Sequence, residues 1–460
     1  MSSLRILNLL TTSCTTRSHA HQILAQLILR NVRSNTTVAY GFITACHSLN
    51  LLSSAALPLY INNLTTTPHT FICNTLLKAF SHSSTPQKSA LIYSHMHRNS
   101  ISVNHYSFPF VLKALAGLKL VKEGASVHCQ IIKLGFMSDV YVGNSLLNLY
   151  AAIGEMGFCG NVFDEMSQRD VVSWTTLISG FNESGKFDDA LITFERMRSE
   201  GVVPNQVTAV NVLAVCAGFR ALDMGVWMHE HMKRSGWELD VILGTSLIDM
   251  YGSCGRIEEG LRVFEEMSKK NVFTWNAIIK GLALSKSGKE AVKWFLRMEE
   301  EGYQPDEVTL ISLLSACVHS GFVHMGRRIF SSLVDEKYGF RPNVKHYGCM
   351  VDLLVRSRCL DEAVKLINEM PYQPTVSIWG ALLAGCRAQA NLELSEFAAW
   401  KLVELEPENC AYYVVLSNLY AEMGRWNDVE KVRELMKERG LKKDMGSSAV
   451  EFERTCELVA

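Results

Sequence analysis

Hydrophobic residues recur at helical spacing in two short segments of residues 171–205, and a glycine separates the segments. Gly185 divides them, Gly201 stands where a C-terminal cap is expected, and Pro204 follows as a stop signal. The pattern predicts a hairpin of two helices. A lone hairpin cannot bury such an apolar stripe, so neighbours are expected on both sides. The predicted core residues are Trp174, Leu177, Ile178 and Phe181 in the first helix, and Ala190, Leu191, Phe194 and Met197 in the second.

The same pattern returns after 101 residues, and each period divides into units of 35, 35 and 31 residues. Repeats of this length are typical of stacked supersecondary units. The predicted fold class is therefore all-α, an α-solenoid superhelix of stacked helix-turn-helix hairpins. The aromatic and cysteine positions that share the period are predicted to pack in its core. The matching pairs are Trp174 with Trp275, Pro204 with Pro305, Cys216 with Cys317, and His128 with His229.

Charge is distributed unevenly along the chain. The 460 residues carry a formal net charge of −1, which argues against a general polyanion binder with a basic surface. The first 122 residues nevertheless carry +10 and no acidic residue, so the remainder carries −11. Residues 1–35 are rich in Ser, Thr and Leu, a composition that fits an organelle transit peptide. The alternative is a mildly basic start of the repeats.

The alternation of unit lengths resembles the P, L and S repeats of plant pentatricopeptide-repeat (PPR) proteins of the PLS subfamily. By this resemblance, residues 19–35 end a partial L repeat, residues 376–409 form a first E motif, and residues 410–452 form a second, TPR-like one. A tail of residues 453–460 follows, and the chain is placed in the E subgroup. The intervening array, residues 36–375, is divided into S 36–69, P 70–104, L 105–139, S 140–170, P 171–205, L 206–240, S 241–271, P 272–306, L 307–343 and S 344–375.

In this family the fifth and the last residue of a unit together select one RNA base. Short polar side chains suit that task because they offer hydrogen-bond donors and acceptors to a base edge. The resemblance also implies that apolar second residues, here Phe71, Val172 and Phe273, flank the stacked bases. The implied target core is 5′-Y-N-U-A-N-A-U-3′, with Pro109, Val210 and Ile311 marking the L units as spacers. The implied reading pairs are Asn74 with Asn104, Asn144 with Asp170, Thr175 with Asn205, Thr245 with Asn271, and Asn276 with Asp306.

We do not expect this chain to catalyse a reaction itself. Many relatives end in a cytidine deaminase domain, which needs His-x-Glu and Cys-x-x-Cys for its zinc. None of the 14 histidines is followed two residues later by Glu, and no Cys-x-x-Cys occurs. The sequence also ends soon after the second E motif. We therefore expect no enzyme activity, no metal and no cofactor.

The resemblance implies a site-recognition factor for C-to-U RNA editing in a plant organelle. Its partners would be single-stranded organelle RNA, a separate DYW-type cytidine deaminase and other editing factors bound through the E motifs. Localisation is expected in the mitochondrion, with the chloroplast as the alternative. Two other functions stay open: an organelle RNA stability, splicing or translation factor without editing, and a TPR-like protein-binding scaffold.

Overall fold

Helices account for all the regular structure in the residues that the computed structural model describes, namely residue 14 and residues 16–29, 36–58 and 70–441. This confirms the predicted all-α fold of helical hairpins. The chain divides into two compact units, Met1–Val215 and Cys216–Ala460, each of which is a stack of hairpins. Within the described ranges, no helix has the length and apolar character that a bilayer crossing requires. Most of the predicted transit peptide and the tail lie outside the described residues.

The helices alternate between a first and a second member of each hairpin. A π-helical turn, Leu52–Ala56, follows α2, and a 3₁₀ turn, Phe136–Ser138, precedes α7. The helices are α1 Arg17–Leu29, α2 Thr36–Ser48, α3 Thr70–Ser81, α4 Gln87–Arg98, α5 Ser107–Gly117, α6 Val121–Lys133, α7 Val140–Ile153, α8 Met156–Glu165, α9 Val171–Glu183, α10 Phe187–Ser199, α11 Gln206–Phe219, α12 Leu222–Arg234, α13 Val241–Ser253, α14 Ile257–Glu266, α15 Val272–Leu284, α16 Gly288–Glu300, α17 Glu307–Ser320, α18 Val323–Val334, α19 Val344–Arg356, α20 Leu360–Glu369, α21 Val376–Ala388, α22 Leu392–Leu405, α23 Cys410–Glu422 and α24 Trp426–Glu438.

First helices pack against one another along each stack. In the first unit α3, α5, α7 and α9 contact in succession, and in the second unit α13, α15, α17, α19 and α21 do so. Each also packs on the second helix of its own hairpin. The predicted core is confirmed for three of its large aromatic side chains, because Trp174, Trp275 and Phe194 are fully buried. Phe181 and Leu191 are half-buried.

Side chains at the unit boundaries start the first helices. Asp170 is extended, and its carboxylate accepts a hydrogen bond from the Ser173 backbone N–H, while the Ser173 side chain accepts from the Asp170 N–H. This reciprocal capping box satisfies N–H groups that a helix start leaves without partners. Asn271, Asp306 and Asn343 form the same arrangement before α15, α17 and α19.

In two successive periods, the fourth residue of the first helix differs between the 31-residue unit and the 35-residue unit that follows it. In the 31-residue unit this residue is Gly143, where an added Cβ would lie 2.7 Å from Cε of Met166. In the following 35-residue unit it is Trp174, whose ring meets Phe163 edge-on at 4.6 Å between centroids. The two contacts therefore differ in shape, since a methionine fills the space above a glycine in one and two aromatic rings meet in the other. The second copy repeats both contacts, Gly244 with Met267 and Trp275 with Phe264.

Candidate nucleic-acid interface

Three of the predicted reading pairs are in direct contact. The amide Nδ2 of Asn276 donates to Oδ1 of Asp306 at 3.0 Å, across the boundary between α15 and α17. The two residues of each pair are 26 or 30 positions apart in sequence. They meet because the last residue of one unit lies at the start of the first helix of the following unit. The same contact is made by Asn74 with Asn104 at 2.9 Å and by Asn144 with Asp170 at 3.1 Å.

The two threonine pairs are joined through a third side chain. Oγ1 of Thr175 lies 2.7 Å from Oγ1 of Thr208, and the Thr208 hydroxyl donates to Oδ1 of Asn205 at 3.0 Å. Thr245 and Asn271 are linked in the same way by Thr274, at 2.9 and 3.1 Å. The fifth and last residues thus form one polar cluster in every predicted reading unit.

The third residue of the following unit supplies a hydroxyl to all five clusters. These hydroxyls belong to residues that are fully buried. In the Asn276 cluster, the Thr309 hydroxyl donates to Oδ1 of Asn276 at 2.5 Å. Our reading of the sequence missed this group. The signal was present as a Ser or Thr three positions after each predicted pair, namely Ser107, Ser173, Thr208, Thr274 and Thr309.

The orientation of the asparagine amides leaves hydrogen-bonding capacity unused. Asn276 uses one of its two Nδ2 hydrogens on Asp306 and accepts on Oδ1 from Thr309. One donor and one further lone pair on this amide, which is 5% exposed, are therefore not used within the cluster. Burial raises the pKa of the Asp170 carboxyl, but hydrogen bonds from Ser173 and Asn144 outweigh that effect, and the pKa lies below its usual value. Asp170 is thus ionised at neutral pH.

Large hydrophobic side chains at the second positions are exposed beside these clusters. Phe71 and Phe273 are 51% and 67% exposed, and Val172 is 49% exposed. A regular series of exposed aromatic and β-branched side chains is typical of an interaction surface. The series is longer than the three predicted residues, because it also includes Tyr106, Tyr141 and Val207 in the first unit and Ile242 and Val308 in the second.

A groove of about 400 Å³ lies along α7, α9 and the first part of α11. Thr175 and Asn205 line it, together with the apolar flanks Val172 and Val207. Asn148, Ser179, Glu183 and Asn211 add polar atoms to its walls. Its mixture of a polar floor and apolar flanks suits a planar, polar-edged group such as a nucleobase.

The fifth residues of the long units do not build such clusters. Pro109, Val210 and Ile311 are half-buried and apolar. Their units still end in helix caps, since Asp139 and Asp240 accept from backbone N–H groups of α7 and α13. These units therefore share the fold of their neighbours without the polar cluster.

Comparison with known proteins finds repeat and E-motif profiles along the chain. Profiles described as PPR repeat family match residues 169–218 and 270–319, and those described as PPR repeat match residues 245–272 and 345–372. An E motif profile matches residues 389–451. The two matches to the PPR repeat family begin 101 residues apart, at residues 169 and 270.

Curated relatives and solved structures agree with the profiles. A mitochondrial pentatricopeptide repeat-containing protein of Arabidopsis thaliana is 39% identical over 83% of this chain, which spans 59% of that relative. Another Arabidopsis pentatricopeptide repeat-containing protein is 36% identical over 95% of this chain and 88% of its own length. The structure of the pentatricopeptide repeat protein PPR10 in complex with an 18-nt psaJ RNA element covers 95% of this chain and 66% of PPR10, with a TM-score of 0.71 at 15% identity. The chain therefore belongs to the pentatricopeptide-repeat proteins, in the PLS class that carries an E motif.

Proposed function

We propose that this chain binds single-stranded RNA and selects its sequence through the five polar clusters. The observation that carries the proposal is the regular pairing of a polar cluster with an exposed apolar second residue. A cluster offers hydrogen bonds to one base edge, and the second residues flank the base faces. The predicted core is 5′-Y-N-U-A-N-A-U-3′, where the third base faces Asn144 and Asp170 and the last faces Asn276 and Asp306.

A binding experiment tests this readout. Fluorescence anisotropy compares a labelled RNA that contains the predicted core with one in which the U and A bases are exchanged. The predicted core should bind at least tenfold more tightly, because each mismatched base loses about 1–3 kcal/mol. Equal affinity for both RNAs would contradict the proposal. A TPR-like protein-binding scaffold would bind neither.

A single substitution tests the assignment of one unit. By the family code, Asn276→Thr with Asp306 unchanged should move the preference at the last base from U toward G. The measurement is a competition among four RNAs that differ only at that base. The preference at the base facing Asn144 should stay with U, which serves as the internal control. A loss of affinity for all four RNAs without a new preference would argue against the code at this unit.

We further propose that the RNA target contains a cytidine that is edited to U by a deaminase supplied in trans. Support comes from the E motif match at residues 389–451 and from exposed apolar side chains on its helices. Trp426 is 67% exposed on α24, and Phe397 and Leu405 are 45–46% exposed on α22. A DYW-type deaminase domain should bind the wild-type chain and bind the Trp426→Ala variant more weakly.

Sequencing of organelle transcripts from plants that lack the gene separates editing from the alternative of stability, splicing or translation control. Loss of C-to-U conversion at a site a few nucleotides 3′ of the core supports editing. Unchanged editing together with altered transcript ends or levels supports the alternative. We propose the mitochondrion as the compartment, in keeping with the mitochondrial Arabidopsis relative that is 39% identical. A fluorescent fusion protein distinguishes this location from the chloroplast.

A further inference from the structure

A buried hydroxyl lies against the polar fifth residue of each of the five clusters. We propose that these hydroxyls are positioning residues for base readout, which hold the reading side chain in one orientation. Each belongs to the unit after the one whose base it affects. This inference rests on the proposed RNA readout, and it adds a third determinant to the fifth and last residues. The five residues are Ser107, Ser173, Thr208, Thr274 and Thr309.

The simpler explanation is that each hydroxyl only completes a helix cap, and the distances argue against it. The Thr309 hydroxyl lies 2.5 Å from Oδ1 of Asn276 but 2.9 Å from Oδ1 of Asp306, the cap. The oxygen of the fifth residue is the nearer one in all five clusters. The paired distances are 2.7 and 3.2 Å for Ser107, 2.6 and 3.0 Å for Ser173, 2.7 and 3.0 Å for Thr208, and 2.9 and 3.1 Å for Thr274.

Caps elsewhere in the array form without any hydroxyl. Asp240 accepts from the backbone N–H of Leu243 at 2.8 Å, and Asp139 accepts from that of Val142 at 3.2 Å. Both caps follow L units, whose fifth residues have no polar atom for a hydroxyl to hold. The third L unit has Ile311 at its fifth position and is followed by His346, whose Nδ1 lies 2.8 Å from the cap oxygen of Asn343. A buried hydroxyl is thus found where a polar reading residue is found.

The hydroxyl and the cap hold the asparagine amide at two points. The Thr309 O–H donates to Oδ1 of Asn276, and Nδ2 of Asn276 donates to Asp306, whose carboxylate accepts only. The remaining donor and lone pair of the amide then have fixed directions. Without the hydroxyl, Oδ1 loses its partner and only the contact with Asp306 holds the amide, so the correct base must order the side chain at a cost in affinity.

Thr309→Val tests the inference at the last base, because valine keeps the branched shape and removes the hydroxyl. The preference for U over C, A and G at that base should fall roughly three- to tenfold, as expected for one hydrogen bond. The preference at the base facing Asn144 should not change. Thr309→Ser should restore discrimination to nearly the wild-type value. Thr193→Val is the matched control, since its hydroxyl is bonded only to the Asp189 carbonyl at 2.7 Å on a second helix.

The outcomes separate the two proposals. If the wild type shows no base preference, the proposed RNA readout itself fails. If the wild type prefers U and Thr309→Val lowers affinity for all four RNAs by one factor, the hydroxyl is only a cap and the inference is overturned. Ser173→Ala makes the same test at the third base should Thr309→Val not fold.

A crystal structure of the RNA-free Thr309→Val variant gives a readout that does not depend on RNA. We expect Oδ1 of Asn276 to leave the place that it occupies beside the Thr309 hydroxyl, as the side chain turns about its contact with Asp306. An Asn276 side chain that keeps its wild-type position and order would also overturn the inference.

Discussion

The contact between α19 and α21 joins the last hairpin with a PPR repeat match to the hairpin that follows it, and it depends on a missing side chain. A Cβ added at Gly385 would lie 1.8 Å from Cγ1 of Val355, which is 1% exposed. Ordinary carbon contacts are about 3.5–4.0 Å. Valine in a helix is nearly confined to one rotamer, so its methyl group cannot turn away. Gly385→Ala must therefore push the two helices apart.

The expected cost follows from two opposing terms. Overpacking of a closed contact costs about 1–3 kcal/mol, and the upper end applies here because Val355 is rigid. Alanine in place of glycine inside a helix recovers about 1 kcal/mol. The net destabilisation is therefore about 2 kcal/mol. Gly380→Ala on the same helix meets no atom within 4 Å and should stabilise by about 1 kcal/mol. The two variants should differ by about 3 kcal/mol.

Hydrogen exchange measured by mass spectrometry suits this test, because hairpin arrays open locally rather than all at once. Amides of α19 and α21 should exchange about thirtyfold faster in Gly385→Ala, and more slowly in Gly380→Ala. Val355→Ala should partly rescue Gly385→Ala, so that the double variant is less destabilised than the sum of the singles. Equal effects of the two glycine substitutions, in sign and size, would refute the packing argument.

Three further predictions concern pH, thiols and salt. Burial lowers the pKa of His229 from 6.5, and Lys233 adds to the effect, so the unfolded chain binds the proton first as the pH falls. The free energy of unfolding should therefore decrease when the pH is lowered past about 6.5. Urea midpoints at pH 7.5 and 5.5 should differ less in His229→Gln than in the wild type, and an unchanged difference would argue against this. Burial raises the pKa of the Cys216 and Cys317 thiols to about 12. Iodoacetamide at pH 8 should therefore leave both thiols unmodified in the folded chain, whereas the exposed Cys129 reacts. Mass spectrometry of the labelled protein before and after unfolding in urea checks this. Affinity for RNA should fall only shallowly with salt because the net charge is −1, and a log–log slope steeper than about −5 would show that phosphate contacts dominate.

The sequence was sufficient to predict the fold because the repeat carried the information redundantly. A stripe such as Trp174, Leu177 and Ile178 is ambiguous in isolation, since any buried helix has one. Its return after 101 residues at Trp275 identifies a stack, and the burial of both tryptophans confirms it. The sequence left a packing or a solvent role open for the histidines that share this period, whereas the structure gives each a specific tyrosine partner. Nδ1 of His229 lies 2.8 Å from the Tyr251 hydroxyl on the next hairpin, a contact that depends on the register between hairpins.

The candidate site was less accessible to sequence reasoning. The fifth and last residues were named from the family resemblance, and their role as RNA readers stays a prediction. The hydroxyl of Thr309 escaped notice because a Ser or Thr three residues after Asp306 has an ordinary explanation as a capping box. Sequence alone does not show that this hydroxyl lies nearer to Asn276 than to the cap. That distinction depends on distances of 2.5 and 2.9 Å between side chains of two hairpins.

The alternation of glycine and tryptophan at the fourth position limits how such a gene can change in length. A 31-residue unit offers the hollow at Gly143 to Met166, and the next unit presents Trp174 to Phe163. Deletion of a single hairpin would bring together surfaces that were shaped for other neighbours. Deletion or duplication of 101 residues restores both of these contacts, because Gly244 and Trp275 occupy the same places one period later. The heritable building block of this array is therefore a triplet of hairpins, and a viable recombination event should add or remove three units at a time.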